Sequence, residues 1–179
     1  MLITMSMRHR ATRVAVFLLA IVALVTLFAS PSWLQAADAT RPATPHFRIV
    51  TFDGKVYDNA SLKGQPTLLM FWASWCQVCQ RELPLLSHFY QKEKPAQLRV
   101  LAIGFADTRA NIEGYVKTHP GTFVFPTAYD KADEVAQLFG VVATPTFVAL
   151  DARGNISLVH RGEGLSDDPQ YRSFLASLQ

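Results

Sequence analysis

A chain of 179 residues, half of them apolar and 17% charged, is too apolar for a disordered protein and suits one globular core. Of its 17 Lys and Arg, three (Arg8, Arg10 and Arg13) sit at the extreme N-terminus; without them 14 basic residues face 14 acidic ones. The formal charge of +3 therefore belongs to the leader, and no basic face remains to hold nucleic acid.

Those arginines precede VAVFLLAIVALVTLFA, Val14 to Ala29, in which Thr26 is the only polar residue. A basic head and an apolar run together read as a signal peptide or an N-terminal membrane anchor over residues 1–37. As a helix the run reaches roughly 24 Å against about 30 Å of bilayer hydrocarbon, and Ala37-Asp38-Ala39 offers a cleavage site, so both fates stay open. In either case the rest is delivered out of the cytoplasm, to the periplasm or, tethered through residues 14–29, to the outer face of the inner membrane.

Residues 38–46, DATRPATPH, carry no periodicity and read as a linker ahead of a domain over 47–179. Two short alternating runs then flank Asp53-Gly54, which predicts a hairpin. TLLMFW, Thr67 to Trp72, is a strand buried on both faces, and Cys76 to about Lys92 is helical. Leu98 to Phe105 is a second central strand, Thr108 to His119 a helix, and Thr122 to Pro126 a short strand. A helix is expected from Asp130, as N-cap, to Phe139, with Gly140 just past its end. A hairpin turning at Arg153-Gly154-Asn155 and a helix from Pro169 close the chain. Alternating strands and helices with a terminal hairpin predict an α/β fold, a mixed central sheet flanked by helices.

Both cysteines fall in FWASWCQVCQRELP, Phe71 to Pro84. Structural zinc asks for four ligands, and beyond Cys76 and Cys79 the domain offers only the scattered His88, His119 and His160. Cu(I) accepts two thiolates, so a copper-binding module using the same pair is the alternative from another class. A bridge closing so short a loop removes little unfolded-chain entropy and makes a poor structural staple. Reactive thiols fit best. Cys76 at a helix start lies near unpaired N–H groups and the positive dipole end, which favours its thiolate, and Cys79 follows one turn later, facing inward.

The stretch FWASWCQVCQRELP resembles the active-site segment of thioredoxin-fold proteins, and more closely that of the TlpA/ResA-like (DsbE-like) membrane-associated thiol-disulfide oxidoreductases. FDGKVYDNASLKGQP is similar to that group's N-terminal hairpin, and VVATPTFVALDARGNI to its later loop and hairpin, so the likeness spans about residues 46–178. It implies a thioredoxin fold with an N-terminal hairpin extension and an insertion between about Ala106 and Asp130. It also implies an enzyme that cycles Cys76 and Cys79 between dithiol and disulfide, with no cofactor and no metal.

The same resemblance carries over further residues. Thr144-Pro145 matches the family's cis-proline, where the preceding residue offers backbone hydrogen bonds to an extended substrate. Glu82 falls with Cys79, Leu86 and Phe89 on one helical face, and the family places a functional acid there; the expected role is proton exchange with Cys79, the alternative a solvated surface residue after a phase shift at Pro84. Thioredoxin's buried Asp on the preceding strand is replaced by Met70. Trp75 either shields Cys76 and docks substrate or packs in the core. Gln77-Val78 between the cysteines brings no cation to the Cys76 thiolate, which favours a reductant over a strong oxidant. The expected partners are exported proteins with thiols or disulfides and a membrane thiol-electron transporter as reductant; cytochrome c maturation is one permitted role. Net oxidation or isomerisation is the alternative within the same class.

Overall fold

The computed structural model describes residues 41–178. The expected leader over 1–37 and the first residues of the linker lie outside the described residues. Among the described residues no helix is long and apolar enough to cross a membrane.

Strands β1 (Arg48–Val50) and β2 (Val56–Asp58) form the expected antiparallel hairpin around Gly54, whose φ of 82° favours glycine. Four residues, Asn59–Leu62, then form a helical turn, α1. It went unforeseen, although Asp58 and Ser61 hydrogen-bond each other's backbone and side chain in a capping box that fixes it. Next come β3 (Thr67–Trp72), α2 (Gln77–Lys92), β4 (Arg99–Gly104), α3 (Arg109–Thr118) and β5 (Thr127–Tyr129). The chain ends with α4 (Glu134–Leu138), β6 (Thr146–Leu150), β7 (Ile156–Arg161) and α5 (Pro169–Ala176).

The main sheet has the order β5-β4-β3-β6-β7, parallel from β5 to β3 and antiparallel from β3 to β7. Every residue of β3 is buried because it is the middle strand and both of its faces are covered. Side chains alternate, so Leu68, Met70 and Trp72 join the core under α2, α3 and α5, while Leu69 and Phe71 join a second core with Phe47, Tyr57 and Val135. This is the mixed α/β sheet read from the sequence. Residues 41–46 do not hang free: Ile156 N donates to Pro42 O (2.8 Å) and Thr44 N to Gly154 O (2.9 Å), which straps the segment along the β6–β7 turn.

Two expected elements differ. The strand expected at Thr122–Pro126 lies five residues later, at Thr127–Tyr129. Pro126 has no N–H to give a sheet; its carbonyl accepts from Ala102 N (3.0 Å), while Phe123 and Phe125 turn inward against Trp72 and Tyr90, with ring centroids 4.9 and 5.6 Å apart. The helix expected over Asp130–Phe139 is broken: Lys131–Asp133 is a single 3-10 turn, Ala132 and Asp133 both have φ of 56°, and only Glu134–Leu138 is α-helical. Asp130 still caps, but it reaches past the break to Val135 N (3.0 Å) and Ala136 N (2.8 Å). A short 3-10 turn at Leu165–Asp167 was also unforeseen.

The expected insertion between Ala106 and Asp130 is occupied by α3 and the aromatic stretch behind it. Helix α3 docks because Gly104, the last residue of β4, leaves room for Ile112; a Cβ at 104 would sit 2.6 Å from Ile112 Cγ2. Gly104→Ala should therefore overpack a fully buried site and lower the unfolding free energy by about 1–3 kcal/mol in urea titration. A loss below about 0.5 kcal/mol would mean that the seat of α3 yields more easily than a packed core does.

Candidate active site

The sheet ends in a turn that is built rather than left to chance. After Trp72 the chain passes through Ala73–Trp75, and Cys76 N donates back to Ala73 O (3.2 Å). Cys76 is the N-cap of α2 with extended backbone, and its Sγ accepts the N–H of Cys79 at 3.0 Å. The two sulfurs are joined as a disulfide, with Cα atoms 5.2 Å apart. Cys76 keeps 5% of its surface exposed and Cys79 none, so a partner in solution meets Cys76 first. The same N–H and the positive helix end favour a thiolate at that position once the bridge opens. Helix α2 then runs through Pro84 to Lys92.

The turn is pinned from the insertion. Ser74 gives both its N–H (3.0 Å) and its hydroxyl to Asp107 Oδ2, and Asp107 Oδ1 accepts from Thr108 N (2.7 Å) and Asn111 Nδ2 (2.8 Å). Burial pushes the Asp107 carboxyl up, but the hydrogen bonds from Ser74, Asn111 and Thr108 together outweigh it and hold the group below its ordinary value. Trp75 is tied to the same loop through Nε1, which donates to Ala106 O at 3.0 Å, and the residue is 61% exposed. Of its two expected placements the surface one is observed.

Glu82 stays in phase after all: it is only 8% exposed, on the face that also buries Cys79, Leu83 and Leu86. Its Oε1 accepts the N–H of Gly164 (2.9 Å), and it lines a small cavity of about 220 Å³ with Leu86, Phe89, Phe147, Leu165 and Tyr171. The Thr144–Pro145 peptide bond is cis. Phe71 pairs with Thr146, which brings these two residues to the end of the sheet from which the cysteine turn departs. Pro145 O accepts from Gly162 N (2.9 Å), and Val142, two residues before Thr144, is 84% exposed.

Three functional positions escaped the sequence reading. Ser74 and Asp107 lie 33 residues apart and nothing local pairs them; Gly164 meets Glu82 across 82 residues. Gly162 and Gly164, both at positive φ, are the local mark of a fixed turn there. Arg81 makes an exposed ion pair with Glu163 (2.9 Å), and His88 Nε2 lies 3.4 Å from a carboxylate oxygen of Glu93. Among the described residues no three His, Cys, Asp or Glu side chains converge as a metal site.

Comparison with known proteins gives concordant likenesses. The AhpC/TSA family matches residues 40–159. Thiol-disulfide oxidoreductase ResA of Bacillus thuringiensis subsp. konkukian is 29% identical over 119 residues, 66% of this chain and 68% of that one. ResA of Geobacillus thermodenitrificans is 26% identical over 157 residues, 87% and 89% of the two chains. The MTB dsbF structure, in mixed oxidised and reduced forms, shares 28% identity at a TM-score of 0.66 and covers 78% of this chain and all (100%) of its own.

The Asp107 carboxylate has a pH signature. Because its pKa is lowered from 3.8 in the folded protein, its stabilisation is full above that value and is lost as pH falls through the folded value. Unfolding free energies measured from about pH 6 down to pH 2 should fall more steeply in the wild type than in Asp107→Asn, which itself costs roughly 1–3 kcal/mol at neutral pH. Parallel acid profiles for the two would remove Asp107 as the carboxylate that holds the turn.

Proposed function

The chain belongs to the AhpC/TSA family, as a thioredoxin-like thiol-disulfide oxidoreductase of ResA/DsbE type, and on that premise we propose that it reduces disulfides of exported proteins through Cys76 and Cys79. The observation that carries this reading is the bonded cysteine pair at the head of α2, with the outer sulfur accepting an N–H of the helix and the inner one fully buried.

In the proposed cycle the Cys76 thiolate attacks one sulfur of a substrate disulfide; a Cys76–substrate bond forms and the other substrate sulfur leaves as thiolate. Cys79, deprotonated with Glu82 as the acceptor of its proton, attacks Cys76 Sγ, which releases the second substrate thiolate and leaves the Cys76–Cys79 disulfide. Two electrons pass to the substrate and its sulfurs take up two protons. The burial of Glu82 one turn from Cys79, on the same face, supports its part. Thr144 and Pro145 would align the substrate strand, and the exposed ring of Trp75 would cover its apolar side.

The reducing direction is supported by Gln77-Val78, which adds no cation beside Cys76. The basic and apolar leader supports export, to the periplasm or to a tether at the outer face of the inner membrane. In that compartment a membrane thiol-electron transporter is the reductant that would return the disulfide to dithiol.

Expression of Cys79→Ala in the native compartment should trap substrates as mixed disulfides, while Cys76→Ala captures nothing; equal capture by both overturns the division of roles. The reduction potential should lie nearer −270 mV than about −120 mV, and a value at the oxidising end reverses the direction. Tight Cu(I) binding by a reduced domain that leaves insulin disulfides intact would replace the enzymatic cycle with metal binding.

A further inference from the structure

Glu82 receives its hydrogen bond from a backbone N–H, so the position of that backbone decides what the carboxylate can do. Gly164 lies in the link between β7 and α5, and its φ of 80° is a conformation that glycine adopts without strain. A side chain of β7 spans the neck of this link. His160, next to last in β7, meets Asp168 Oδ2 through Nδ1 (2.8 Å) and Glu163 O through Nε2 (3.1 Å). Both partners are acceptors, and the ring reaches them from its two nitrogens, one on each side.

Asp168 anchors the far side: its Oδ1 accepts from Gln170 N (2.7 Å), which caps α5, and its carboxyl is held below the ordinary range first by the hydrogen bond from His160. Phe147 from β6 has its ring centroid 6.0 Å from that of His160, and the carboxylate of Glu163 is turned outward to Arg81. That Arg81–Glu163 pair is well exposed on both sides and contributes little to the placement of the link.

We infer that His160 is a positioning residue for Glu82: by holding Asp168 and the Glu163 carbonyl together, it fixes the adjoining Gly164 N–H on the Glu82 carboxylate. This rests on the reading of Glu82 as the proton acceptor for Cys79. His160 acts through the link and touches neither sulfur nor substrate. With the clasp open, Glu82 loses the donor that orients it, and the step that needs it is the attack of Cys79 on the mixed disulfide. The first attack, by Cys76, does not involve Glu82.

The two steps separate in the reaction of the reduced protein with 5,5′-dithiobis(2-nitrobenzoate). One chromophoric thiolate leaves when Cys76 attacks and a second when Cys79 resolves, so the absorbance rises in two phases. Glu82→Gln should slow the second phase about tenfold and leave the first within about twofold. His160→Phe, which keeps a ring but no donor, and Asp168→Ser, which keeps a cap for α5 but no carboxylate, should each slow the second phase alone by about three- to tenfold. Glu82→Gln combined with either should be no slower than Glu82→Gln, the pattern of residues acting through one group.

Second phases within twofold of the wild type in the His160 and Asp168 variants, or multiplicative losses in the double variants, overturn the assignment while leaving Glu82 in place. A wild-type second phase in Glu82→Gln removes the proton role and the inference together. Asp168→Ser decides the matter alone if His160→Phe does not fold.

Discussion

The hydrogen bond from Cys79 N to Cys76 Sγ requires a helix to begin at one particular residue, and much of the surrounding structure serves that requirement. Helices start where the backbone leaves an extended conformation and something accepts the first free N–H groups. Cysteine is an unusual choice for that place, and here its sulfur is the acceptor. Strand β3 delivers the chain to this point from the middle of the sheet, hydrogen-bonded on both sides, so the turn cannot drift. The outer sulfur is thus exposed to a field of amides, while the inner one is sealed in the core beneath it.

Around this start the fold places supports from three distant segments. The loop after β4 supplies Asp107 and Ala106, which hold Ser74 and Trp75. The entry to β6 supplies the cis Thr144–Pro145 bond, and the link after β7 supplies N–H groups to both Pro145 and Glu82. The last arrangement joins the residue expected to align a substrate with the residue expected to move a proton, through a peptide stretch of three residues, Gly162 to Gly164. Neither side chain has to touch the other for their positions to be correlated.

How much of this can be read from the chain depends on whether the determinant is local. TLLMFW announces a two-faced buried strand by composition, and its observed limits are those expected, Thr67–Trp72. The spacing Cys79, Glu82, Leu86 carries the burial of Glu82 because helical periodicity survives Pro84. The strand expected near residue 125 lies later because alternation of Phe123 and Phe125 looks like a sheet pattern, whereas Pro126 gives the sheet only its carbonyl and the rings face an aromatic core. The break after Asp130 has its cause elsewhere: Asp133 gives an acceptor to Ala106 N (2.7 Å), 27 residues earlier, and no local propensity encodes that pull. The pairs Ser74–Asp107 and Glu82–Gly164 fall in the same class, since only the assembled sheet brings them together.

The strap at residues 42–44 has a further bearing on orientation. It joins the turn after β6, and Leu150 at that end pairs with Thr67, the first residue of β3, whereas the sulfurs lie beyond Trp72, the last. A strand of this length spans about 20 Å. The chain therefore enters the domain at the pole opposite its reactive face, and the segment at 42–44 stands clear of the sulfurs.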